Sequence, residues 1–141
     1  MTFTDTHCHL ADPKLASTLP TVLAEAQAAG VARFIVPATS PKDWHSVAQL
    51  EKPSENIHIA LGIHPWFSDG LNEAAFQELE KELIRHPQAW VGEIGLDFYD
   101  KEQTQAQRDT QTDVFIRQLI LARHLNRRVI IHNLKATAAI A

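Results

Sequence analysis

The sequence predicts an α/β fold built on a parallel sheet, and three observations predict it. Strand-like runs rich in β-branched residues recur five times between amphipathic helical stretches. Proline and glycine punctuate the junctions, with no linker or low-complexity segment separating the elements. Ligand-type side chains stand at the carboxyl ends of these runs, where parallel α/β folds assemble their sites.

A first strand is expected over residues 2–7. A helix follows over residues 19–29, with Pro20 in its first turn and Gly30 placed to end it. RFIVP (residues 33–37) reads as the second strand. Ser40-Pro41 reads as an N-cap followed by proline at the first helical position, opening a short helix that stops before Pro53. IHIALGI (residues 57–63) is the third strand. The helix over residues 72–85 puts Phe76, Leu79 and Leu83 on one face, and Pro87 closes it. AWVGEIGL (residues 89–96) is the fourth strand. The helix over residues 105–125 carries Phe115, Gln118, Leu119, Ala122 and Leu125 on one stripe. RVIIH (residues 128–132) is the fifth strand, and the remainder starts another helix. The rhythm fits a doubly wound sheet and a closed barrel equally.

Composition narrows the class. The 141 residues are 45% hydrophobic and 21% charged, which is ordinary for a single globular domain. No run is apolar enough to suggest a membrane span, and the amino terminus lacks the pattern of a secretory leader. One cysteine permits no internal disulfide, which fits a reducing cytoplasm. The net charge is −4, and among scattered lysines and arginines only Arg127 and Arg128 are adjacent. That distribution excludes a protein that coats duplex DNA by neutralising phosphates. It leaves room for an enzyme whose metal ions supply the local positive charge.

His7 and His9 form a His-x-His pair at the end of the first strand. Residues i and i+2 of a strand share a face, so the two rings can grip one ion, whereas Cys8 points the other way into packing. Hydrogen-bonded strand-end histidines would read the same. Glu93 lies among apolar residues between Gly92 and Gly95. A carboxylate there is costly unless it is paired or binds a cation, and the glycines mark close approach of a ligand or another backbone. A salt bridge to an arginine of the next helix is the competing explanation. His64 closes the third strand and His132 the fifth. Four of the five strands therefore end in, or carry, a ligand-type residue, which points to a metal site. Asp5 is placed for outer-shell orientation of a ligand, and Asp97 for the rim or a cap. His45, His86 and His124 fall on helices or their ends, and His58 at the wrong end of its strand.

DTHCHL (residues 5–10), GIHP (62–65), GEIGLDFY (92–99) and VIIH (129–132) together resemble the TatD family of metal-dependent deoxyribonucleases, in order and spacing over residues 1–132. The resemblance implies a TIM-type (β/α) barrel, of which residues 1–141 supply about four and a half βα units as one partial domain, a parallel half-barrel. It implies hydrolysis of DNA phosphodiester bonds, often from a 3′ end, with one or two divalent ions (Mg²⁺, Mn²⁺ or Zn²⁺). His7 and His9 would bind one ion, Glu93 would bridge both, His132 would bind the second, and His64 would contact the scissile phosphate.

Two departures are visible. The family usually follows the fifth-strand histidine with a polar segment containing an arginine, read as HSR or HTR, whereas after His132 this chain reads Asn133-Leu134-Lys135, leaving Lys135 as a substitute point charge. The family also runs to roughly twice this length, with a further histidine and aspartate beyond the fifth strand. Two alternatives follow: an inactive remnant keeping a partial metal site, and a related barrel hydrolase with another substrate. GEIGLD, with its glutamate and no candidate for a carboxylated lysine, favours the nuclease branch. Unpaired edge strands also predict self-association.

Overall fold

The computed structural model describes residues 1–52 and 56–141, so Pro53, expected to stop the second helix, lies outside the described residues. Five parallel strands are β1 (Phe3–Asp5), β2 (Val31–Pro37), β3 (Ile57–Leu61), β4 (Trp90–Asp97) and β5 (Val129–Leu134). The helices between and after them are α1 (Leu19–Ala28), α2 (Trp44–Ala48), α3 (Glu73–Arg85), α4 (Gln105–His124) and α5 (Thr137–Ile140).

Spatial strand order is β1-β2-β3-β4-β5, the same as the chain order. This order resolves the ambiguity left by the sequence. A doubly wound sheet reverses direction at a switch point, whereas stepping always to the next position is how a barrel is laid down. Right-handed crossovers that all step one way put the helices on one face, so the sheet is a half-barrel. No helix among the described residues is long and apolar enough to cross a membrane.

The core lies between β2–β4 and the helices. Phe34 and Val36 of β2, and Ile57, Ile59 and Leu61 of β3, alternate along their strands and meet Phe76, Leu79 and Leu83 of α3. From α4 the buried set is Gln111, Val114, Phe115, Gln118 and Ala122, while Leu119 and Leu125 of the expected stripe are half-buried. Side-chain caps open the two long helices: Asn72 accepts from the Ala75 amide, and Thr104 and Gln107 form a reciprocal capping box.

Three local expectations need correction. β1 ends at Asp5, not His7, and is exposed throughout; among the described residues it pairs with β2 alone and has no core face to prolong it. β3 ends at Leu61, two residues short of Ile63. The second helix begins at Trp44 rather than after Ser40, because the Asp43 carboxylate accepts from the amides of Thr39 and Ser40 and from the Thr39 hydroxyl. Those bonds hold residues 39–43 as a turn.

Candidate metal centre at the strand ends

The pairing of β4 with β5 is irregular between Val91 and Ile94. Strict alternation from Val91 would bury Glu93 in the apolar layer; the irregularity lets Ile94 and Leu96 continue that layer instead. The glycines make the approach of β5 possible. A Cβ on Gly92 would come within 2.8 Å of the Ile130 Cβ, and one on Gly95 (φ +144°) would run into the His132 carbonyl. The close approach signalled by these glycines is therefore that of another backbone.

Glu93 is 6% exposed, and each of its oxygens faces a different histidine group. Oε2 lies 3.2 Å from His7 Nε2, and His7 Nε2 lies 3.2 Å from His9 Nε2. Oε1 lies 3.0 Å from His132 Nδ1 and 3.8 Å from His64 Nε2. Two trios result, His7–His9–Glu93 and His64–Glu93–His132, each with candidate ligand atoms within 4.8 Å of one another. Among the described residues the ion-pair partners of Glu93 are histidines, His7, His64 and His132, and not an arginine of the next helix. The strand-end positions that the sequence singled out do converge.

His7 and His9 lie just past β1, where the chain bends but stays against β2 because the Cys8 amide donates to the Ile35 carbonyl at 3.1 Å. Burial pushes the Cys8 thiol up to about 12, with the Asp5 charge adding to the rise, and the thiol faces the Ile35 carbonyl. Cys8 is thus a packing residue. Asp5 accepts from the His7 amide rather than from an imidazole, so it shapes the turn that presents the ring.

His64 is buried, and burial holds its pKa down at about 4, against the raising influence of Glu93. Its Nδ1 accepts from the Trp66 amide at 3.2 Å, at the start of a 3₁₀ turn over Pro65–Phe67. A neutral ring that accepts at Nδ1 carries its proton on Nε2. His64 therefore points an N–H, not a lone pair, toward the Glu93–His132 pair, 3.1 Å from His132 Nδ1.

His132 has carboxylates at both nitrogens: Glu93 at Nδ1, and Asp97 Oδ2 at Nε2, 3.1 Å away. Asp97 also accepts from Trp66 Nε1 at 2.7 Å and from the Tyr99 amide at 3.1 Å. Burial raises its pKa, but these donors and His132 outweigh it and hold the carboxyl below its usual range. An imidazole whose outer nitrogen donates to a carboxylate offers its inner nitrogen as a basic ligand. Asp97 is placed for that outer role and also accepts locally from the Tyr99 amide, the two possibilities, rim and cap, that the sequence left open.

The donor set fits divalent cations. At one position His7 Nε2 lies 3.2 Å from both His9 Nε2 and Glu93 Oε2; at the other, His132 Nδ1 lies 3.0 Å from Glu93 Oε1. Acceptors crowded together repel unless a proton or cation sits between them. Mixed nitrogen and oxygen ligation suits Mg²⁺, Mn²⁺ or Zn²⁺.

Two glutamines of α4 brace the rim, and the sequence marked only Gln118, as a stripe position. Gln118, fully buried, accepts from the Ile63 amide at 2.8 Å and donates to its carbonyl at 3.0 Å. Gln111 accepts from the Asp97 amide at 3.0 Å. A polar residue repeated on a buried helical stripe was the available signal. The other histidines stay away from the rim cluster: His86 pairs with Glu51, His45 bonds Gln49, and His124 is exposed. His58 lines a cavity of about 690 Å³ at the amino ends of the strands, with Arg33, Trp90 and Arg128. Lys135 is exposed, at φ 58°, just after β5.

Comparison with known proteins agrees with this geometry. The metal-dependent hydrolase YjjV of Escherichia coli K12 is 33% identical over 133 residues, covering 93% of this chain and 50% of its own. Human deoxyribonuclease TATDN3 is 31% identical over 144 residues, covering 94% of this chain and 52% of its own. The crystal structure of YjjV, a TatD homologue, superposes with a TM-score of 0.87 at 32% identity over 97% of this chain and 52% of that one. The chain thus spans about half the length of the curated relatives it matches. The family model described as TatD related DNase matches residues 4–141, nearly the whole chain, and on that ground the chain belongs to the TatD related DNase family.

Proposed function

We propose that this chain carries the site of a metal-dependent hydrolase that cleaves DNA phosphodiester bonds, removing nucleotides from a 3′ end through two divalent ions. One observation carries the reading: the two oxygens of a single buried carboxylate, Glu93, address two separate histidine groups. His7 and His9 would hold one ion, His132 the other, and Glu93 both. Bound divalent ions polarise a phosphate, acidify water and stabilise the leaving oxygen. The name of TATDN3 supports DNA as the substrate, and that of YjjV supports hydrolysis.

The chain's own groups have distinct tasks. His64 Nε2–H faces His132 Nδ1 at 3.1 Å; with an ion held at that nitrogen the N–H would be released to donate to a phosphate oxygen and so orient the scissile group. Its lowered pKa keeps it a neutral donor near neutral pH. Asp97 orients His132, while Gln118 and Gln111 fasten the strand ends from which His64 and Asp97 project. Lys135 stands just after β5 as a point charge for phosphate.

Calorimetry with Mn²⁺ or Zn²⁺ on the wild type and on Glu93→Gln tests the reading. The substitution keeps shape but removes the charge that offsets two dications, so affinity should fall at both positions. Equal affinity in the two proteins would make Glu93 a structural residue and end the proposal.

A further inference from the structure

We propose that Trp66, with Phe67 beside it, forms a stacking subsite for an unpaired nucleobase next to the metal centre. This rests on the nuclease reading above and assigns residues to the base beside the scissile phosphate. Trp66 is 71% exposed and Phe67 43%, although both belong to a turn whose other residues, Pro65 and Ser68, are buried. The turn follows β3, the central strand, so this exposure does not belong to either open edge of the sheet.

Trp66 is exposed yet held. Its indole N–H is committed to Asp97 Oδ2 at 2.7 Å, and its ring stands edge-on to His64 with centroids 5.0 Å apart and planes at 76°. The Phe67 ring lies 6.5 Å from the same imidazole. With its only polar handle occupied, the indole offers the outside nothing but a π surface. The ligand chemistry that fits such a surface is a flat aromatic ring, recognised without hydrogen bonds and hence without sequence preference.

Position selects a nucleobase. Asp97 bonds both Trp66 and His132, so the aromatic face is tied to the side chain proposed to hold an ion. A phosphate seated beside His64 would leave its attached base within a few ångströms of that face. The charge balance points the same way. With a net charge of −4 and scattered cations, phosphate neutralisation away from the metal centre supplies little strand affinity, and base stacking is a source that needs no further cations. Bases in duplex are already stacked inside the helix, so the subsite selects single strands or frayed ends.

The test measures anisotropy of a labelled short oligothymidylate, and of an abasic strand of equal length and charge, with the Mn²⁺-loaded chain. The wild type should bind the oligothymidylate about tenfold more tightly, within the range of one stacked base. Trp66→Ala should erase that difference, and Trp66→Phe, which keeps a ring but loses the indole N–H, should retain most of it. Equal wild-type affinity for both strands would overturn the subsite while leaving the nuclease reading intact. If Trp66→Phe erases the difference as fully as Trp66→Ala, the residue works through Asp97 rather than by stacking, and the proposal fails. If the wild type binds neither strand, the nuclease reading fails and the subsite with it.

Discussion

Gln118→Leu is the perturbation that most directly examines how the rim is held. Gln118 is fully buried and its amide meets both backbone groups of Ile63, accepting at 2.8 Å and donating at 3.0 Å. Leucine has nearly the same volume, so the change leaves little cavity. It does strand one buried N–H and one buried C=O, each costing about 1–3 kcal/mol when unsatisfied. The expected loss is therefore about 2–6 kcal/mol, a large share of the roughly 5–15 kcal/mol that holds a domain together. Urea unfolding should show a lower midpoint at unchanged slope. Amide exchange should also quicken at His64, one residue beyond the clamp. Ile120→Ala, on the exposed face of the same helix, controls for changes to α4 itself and should stay within about 0.5 kcal/mol. A Gln118→Leu midpoint within that margin would show that Ile63 finds other partners and that the clamp argument is wrong.

Asp97→Asn should lower Mn²⁺ affinity about tenfold to hundredfold, because His132 loses the carboxylate that orients it; calorimetry showing an unchanged constant would remove Asp97 from the outer shell. Gly95→Ala should destabilise the fold by more than about 2 kcal/mol, since it combines a φ of +144° with a methyl group directed into the His132 carbonyl, and thermal melting reads the loss. Self-association is expected through Phe3 on β1 and through Ile131 and Leu134 on β5, all exposed, so light scattering should report species larger than a monomer and Ile131→Lys should shrink them.

The parts of the site legible in the sequence were those that a local pattern can carry. His7, His9, His64 and His132 each close or follow a strand, and Glu93 sits between glycines in another. In a parallel sheet the strand ends share one side, so their convergence needed no knowledge of distance. Even where β1 and β3 proved shorter than expected, the conclusion survived, because Cys8 and His64 keep backbone bonds to Ile35 and Thr39 past the strand ends. What stayed hidden depends on pairs far apart in the chain. Asp97 could be read as a cap until its bonds to Trp66 and His132, 31 and 35 residues away, were visible. Gln118 looked like a polar intruder on an apolar stripe, and its purpose lies 55 residues upstream at Ile63.

The same distinction separates His64 from the proposed ligands. By residue type it belongs with His7, His9 and His132, and a sequence motif offers no way to tell them apart. The Trp66 amide occupies Nδ1, so the neutral ring keeps its proton on Nε2. Proline at position 65 starts the turn that brings that amide back onto the ring. A strand-end histidine is therefore converted from a potential ligand into a hydrogen-bond donor by the two residues that follow it. The role proposed for an imidazole at such a rim rests on what its second nitrogen meets: a carboxylate at His132, which would orient the inner nitrogen toward an ion, and a backbone amide at His64, which would not.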